Sequence, residues 1–135
     1  MLQPRKQKYR KQFRDKNRGE ALRGSDIHFG EFGLKAMAHC WLKVNQIEAA
    51  RKAIVHHTKR KGKLWIRVLA DKPVTKKGAG VRMGGGKGDV DHFVVVIKPG
   101  RIIFELAGIE KHIAQTALKA ASAKLPMKVT FIERL

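Results

Sequence analysis

Acidic residues are scarce in this 135-residue chain: 11 against 30 lysines and arginines, a net charge of +19. A freely diffusing enzyme of this size rarely holds so much unbalanced charge, because self-repulsion works against the compact state unless a polyanion is present. Cysteine is nearly absent. The single Cys40 excludes an internal disulfide and any multi-cysteine zinc site, and a reducing compartment is the natural reading. Long apolar runs are missing too, with nothing near the ~20 residues that would span a bilayer. No apolar segment follows the opening MLQPRKQKYR, so a secretory signal is not expected there. An arginine-rich start also suits an organellar transit peptide, but two acids and no serine fit that poorly. Of the polyanions available, nucleic acid is a better match than a membrane surface.

The chain has enough apolar residues, 43%, for one ordinary domain. The charge is uneven. Residues 1–24 carry nine basic and two acidic side chains, residues 25–92 carry 14 and six, and residues 93–135 carry seven and three. The first segment is therefore the densest. It has almost no aliphatic residues, cannot fold alone, and reads as an arm that orders on a polyanion. Tyr9 and Phe13, set among its cations Arg5, Lys6, Lys8, Arg10, Lys11, Arg14 and Arg18, can stack on bases or dock on the domain.

From residue 25 to residue 135 the pattern is globular. Phe29, Phe32, Leu34, Met37 and Trp41 suggest extended structure. Asn45 and Glu48 resemble a capping box, and Ile47, Ala50 and Ile54 follow at helical spacing, predicting a helix to about Lys61 that stops at Gly62. Leu64 to Leu69 reads as a strand. Residues 71–91 are polar and glycine-rich, and are expected to form one long functional loop. Phe93–Ile97 and Ile102–Leu106 read as strands joined at Pro99-Gly100. A second helix from near Glu110 carries the small stripe Ile113, Ala117, Ala120 and Ala121 and ends by Pro126. Val129–Ile132 is the last strand. This order predicts an α+β fold of two layers, with two helices on one face of a mixed or antiparallel sheet.

The glycine loop, Arg82-Met83-Gly84-Gly85-Gly86-Lys87-Gly88, invites comparison with phosphate-binding motifs. A Walker A loop would need glycine at Val81 and serine or threonine at Gly88, and the dinucleotide fingerprint fails at Asp89. What remains is a flexible cationic finger, in which Lys76, Lys77, Arg82 and Lys87 can approach a phosphate backbone. Lys59-Arg60-Lys61-Gly62-Lys63, with Arg67 on the adjoining strand, forms a second basic cluster. Catalytic groupings are thin. His56-His57 lie on a helix, the other histidines lack metal-ligand spacing, and Cys40 beside His39 points to the opposite face of a strand. No catalytic residue, metal or cofactor is assigned.

Two segments carry a resemblance. Lys59-Arg60-Lys61-Gly62-Lys63-Leu64-Trp65-Ile66-Arg67-Val68-Leu69-Ala70 and Arg82-Met83-Gly84-Gly85-Gly86-Lys87-Gly88 resemble, in order, two signatures of the universal large-subunit ribosomal protein L-sixteen family, bacterial type, within the L-sixteen/L-ten-e superfamily. Met1-Leu2-Gln3-Pro4, Asn17-Arg18-Gly19, Phe29–Lys35, Gln46–Arg51, Asp71-Lys72-Pro73 and Ala123–Pro126 extend the likeness along the chain and argue against a transit peptide. His39-Cys40-Trp41 departs from a usually small and basic stretch, and Gly84-Gly85-Gly86 runs where lysine or serine often interrupts.

The resemblance implies a hammerhead-type α/β fold and a monomer within the large ribosomal subunit, with no membrane association. Its partners would be rRNA, tRNA and neighbouring large-subunit proteins. The arm and the Lys59–Arg67 cluster would bind 23S-type rRNA. Lys76, Lys77 and residues 82–88 would reach toward aminoacyl-site tRNA, with the peptidyl site a further contact, near the peptidyl-transferase region. The expected location is a cytoplasmic ribosome. An organellar one, and hydroxylation of Arg82, which occurs at the matching residue in some bacteria, stay open. The alternative from another class is a free DNA- or RNA-binding architectural protein.

Overall fold

The computed structural model describes residues 2–135. Met1, the first residue of the arm, lies outside the described residues. Among those described, the order is β1 (Phe32–Ala36), β2 (Cys40–Lys43), α1 (Val44–Thr58), β3 (Lys63–Ile66), β4 (Lys72–Lys76), β5 (Asp89–Ile97), β6 (Ile102–Ala107), α2 (Lys111–Ser122) and β7 (Val129–Glu133). The α+β class and the antiparallel pairing hold. The strands are shared between two sheets, one of order β3-β6-β1-β7 and one of order β2-β5-β4.

The core lies where these layers meet. Ile47, Ala50 and Ile54 of α1 are fully buried, as their spacing requires, with Ala114, Ala117, Leu118 and Ala121 of α2. Alanines on α2 let the two helices approach closely over β1, and Leu34, Phe104 and Leu106 of the larger sheet close the cluster.

Several boundaries differ from expectation. Helix α1 starts two residues earlier, with Lys43 and not Asn45 at its N-cap. The Lys43 N–H donates to Gln46 Oε1 at 2.9 Å, so glutamine takes the reciprocal role and Glu48 is left to pair with Arg51. The helix ends at Thr58, before Lys61, because Lys59 (φ 52°) and Arg60 (φ 64°) turn left-handed and return their N–H groups to His56 and Val55 carbonyls. The following strand ends at Ile66, leaving Arg67 to Leu69 outside it.

The expected loop over 71–91 is shorter than its composition suggests, with strand at both ends. β4 occupies Lys72–Lys76 and β5 begins at Asp89, which leaves residues 77–88 as the loop. Pro73 disguised β4 in the sequence. It is tolerated because β4 is the edge of its sheet, where one row of N–H groups needs no partner.

The arm carries no helix or strand between residues 2 and 31. It lies along the domain, anchored at intervals. Ala70 N–H donates to the Leu2 carbonyl and Ala21 N–H to that of Pro99, each at 2.9 Å, and Ile102 N–H to that of Gly24 at 2.8 Å. Asn17 Nδ2 donates to the Ile97 carbonyl at 2.9 Å, and Gln7 donates to that of Asp71.

Candidate nucleic-acid interface

The basic junction between α1 and β3 depends on backbone conformation. Three residues there, Lys59, Arg60 and Gly62, have positive φ. At Gly62 (φ 73°) a side chain would strike the Ala107 carbonyl, so only glycine fits. The reversal leaves Lys59, Arg60, Lys61 and Lys63 on the surface. Lys63 Nζ rests 5.2 Å from the Trp65 ring centre. On the adjoining face of α1, Arg51, Lys52, Val55, His56, Lys59 and Arg60 line an open groove of about 620 Å³. The hydrogen bond from Arg51 to Glu48 holds that carboxyl below its ordinary range.

Arg67 was expected in this patch, and the structure gives it another task. Its guanidinium pairs with Glu105, which is fully buried on β6, and sits 5.0 Å from the Phe29 ring centre. Glu105 Oε1 also accepts the N–H groups of His28, Phe29 and Gly30, each at 3.0 Å. Burial pushes this carboxyl up. The donors of Gly30, Arg67 and Phe29 outweigh that, so its pKa lies below the ordinary 4.5. Arg67 and Glu105 thus pin residues 28–30, at the start of the domain, to the larger sheet.

The smaller sheet turns Leu42, Val95 and Ile97 into the core. By alternation its other face holds Trp41, Lys72 and Val94, and Val94 is only 1% exposed. The arm covers this face. Lys72 Nζ lies 4.9 Å and the Arg14 guanidinium 5.8 Å from the Trp41 ring centre, and Lys72 Nζ donates to the Arg14 carbonyl at 2.6 Å. Arg14 was read as an rRNA cation, and its place is set by this stack. Sequence reasoning missed Trp41 and Lys72. They contact an arm residue 27 and 58 positions away, and no local signal joins them.

Lys76 lies on β4 and not in the loop. Lys77 closes the loop from inside, its Nζ donating to the Gly84 carbonyl at 2.6 Å. Gly84, Gly85 and Gly86 take φ of 99°, 76° and 91° with open space around them, and Met83 at the tip is 100% exposed. Arg82 is exposed beside it. Lys87 faces the arm: its Nζ donates to the Gln12 carbonyl, and Lys11 Nζ donates to the Lys87 carbonyl at 3.1 Å. Gly88 packs against the Lys76 and Lys77 backbone and side chain at the loop's base.

Among the remaining arm cations, Arg5, Lys6, Lys8 and Arg10 spread along the outer surface, while Lys11 is half-buried against the loop, and Lys8 Nζ lies 5.5 Å from the Tyr9 ring centre. Arg18 follows at the surface after Asn17. Tyr9 (66% exposed) and Phe13 (85% exposed) do not dock on the domain. Among the described residues, no three His, Cys, Asp or Glu side chains gather where they could hold a metal ion, and no helix is long and apolar enough to cross a membrane.

A small α+β domain that spreads cations over an arm, a helix–strand junction and a glycine finger is a polyanion-binding protein. Residues 4–132 match the sequence model of the Ribosomal protein L16p/L10e family, and the chain belongs to that family, one of ribosomal proteins and not of enzymes. It is 54% identical over 134 residues to the large ribosomal subunit protein uL16 of Kosmotoga olearia, covering 99% of this chain and 95% of that relative.

Proposed function

We propose that this protein is a structural component of the large subunit of the cytoplasmic ribosome. The observation that carries the reading is the family match over residues 4–132 together with 54% identity to a large-subunit protein along nearly the whole chain. In this reading residues 1–24 are an rRNA-binding arm on a domain of residues 25–135. Arg5, Lys6, Lys8, Arg10, Lys11 and Arg18 meet rRNA phosphates along the arm, while Lys59, Arg60, Lys61 and Lys63 do so at the α1–β3 junction. The glycine loop, with Arg82 and Met83 at its tip, faces aminoacyl-site tRNA. Neighbouring large-subunit proteins complete the surroundings.

Phosphate contacts of this kind release counterions, so log affinity falls with log salt at a slope of roughly −0.7 to −0.9 per phosphate neutralised. In lysates sedimented at low and at high salt, the protein is expected in the large-subunit fraction at low salt and partly released at high salt. Its absence from that fraction at both would sink the proposal. Competition of rRNA fragments against duplex DNA separates it from a free architectural protein, with preference for RNA expected.

A further inference from the structure

The arm and the base of the glycine loop enclose a second groove, of about 520 Å³, lined by Tyr9, Lys11, Gln12, Phe13, Asp15 and Lys87. Its size falls within the ~300–1,000 Å³ usual for small-ligand clefts. Both aromatic rings are largely exposed, whereas Phe32 and Phe131 stack on each other in the sheet, 5.7 Å between ring centres. Two largely exposed rings on an arm that packs elsewhere at close intervals, Tyr9 with only the Lys8 ammonium 5.5 Å from its centre, leave a flat apolar surface open to a further partner. The groove's walls are tied together where Lys87 bonds to Gln12 and Lys11 to Lys87. Each ammonium retains further donors for a phosphate. Asp15, in the left-handed region at φ 55°, supplies the one carboxylate, an acceptor of hydrogen bonds only.

These chemistries converge on one occupant. Paired A-form RNA hides its base faces, and an unpaired nucleotide offers both a face to stack and an edge to read. A carboxylate is best satisfied by two adjacent donors, and among the bases guanine presents such a pair on its Watson–Crick edge. We propose that this groove binds a single unpaired guanine of RNA. Its ring stacks on Tyr9 and Phe13, its edge bonds to Asp15, and its phosphate lies by Lys11. The proposal rests on the RNA-binding reading above.

The full-length protein would be titrated with fluorescent RNA hairpins carrying a one-nucleotide bulge (G, A, C or U), against a fully paired hairpin matched in phosphate number. The guanine bulge is expected to bind tightest. Phe13→Ala should weaken it about tenfold, the loss of one base–aromatic stack, while leaving the paired hairpin unchanged. Phe13→Trp should restore binding, and Asp15→Asn should erase the preference for guanine. Phe13 is exposed, so these variants fold. Equal wild-type affinity for paired and bulged hairpins, or an equal effect of Phe13→Ala on both, overturns the site while leaving phosphate-driven binding intact. Failure of every hairpin to bind removes the RNA reading and this site together. Phe13-dependent binding to a neighbouring ribosomal protein, with no bulge dependence, reassigns the groove to a protein contact.

Discussion

Glu105 shows how one charge can organise a strongly basic protein. It is buried on a central strand and satisfied by three backbone N–H groups and Arg67. Removing one partner of a buried pair leaves the other uncompensated, which typically costs 3–5 kcal/mol, so Glu105→Ala should lower stability by about that much in urea titration. Because the folded carboxyl titrates below its ordinary 4.5, the stabilisation is present above that pH and is lost as pH falls through the folded value. The gap in urea midpoint between wild type and Glu105→Gln should therefore narrow between pH 7 and pH 3, and a gap independent of pH would contradict this role. None of this could be read in the sequence. Arg67 looked like one more cation in a basic run, since its partner lies 38 residues away on β6.

At the scale of elements, what is periodic and local is legible. The stripe Ile47, Ala50 and Ile54 announced α1, and the β-branched runs announced β5 and β6. Strand β4 was hidden, because its proline and flanking lysines resemble a loop and its pairing with β5 spans the glycine segment. The basic runs were visible as composition; their separate tasks were not. Within the 77–88 loop, Arg82 is free at the tip while Lys87 is tied to Gln12. Arg82→Ala is expected to slow tRNA accommodation on the ribosome and leave subunit assembly unchanged. Lys87→Ala should impair both, since it also unfastens the arm. Kinetics of tRNA accommodation, with gradient profiles of subunits, would separate them; an assembly defect from Arg82→Ala would make the tip an rRNA anchor.

For the whole molecule, the arm and the domain are one packed object even though only the domain has a core. Composition marked residues 1–24 as unable to fold alone, but gave no sign that Val94 and Trp41 would lie beneath them. Deleting residues 1–18 removes Arg14 from the Trp41–Lys72 stack, the Asn17 bonds and the Leu2 contact at the edge of the core, and keeps every residue of the buried cluster of both helices and the larger sheet. The truncated protein should still unfold in one cooperative transition, at a lower midpoint, and bind rRNA with a shallower salt slope. Loss of cooperative unfolding would show that arm and domain cannot be separated.

The carbonyl oxygens that hold Lys11, Lys72 and Lys87 bear on how selective so cationic a chain can be before it reaches its destination. Each carbonyl takes one of an ammonium's three donors and fixes where the other two point, so a stray RNA that touches one of these cations meets a charge that does not follow its contours. A surface that meets all three in register gains three contacts with no rearrangement. The newly made protein is in this way guarded against capture by the many loose RNA strands around it, and its tightest embrace is kept for a surface of matching shape.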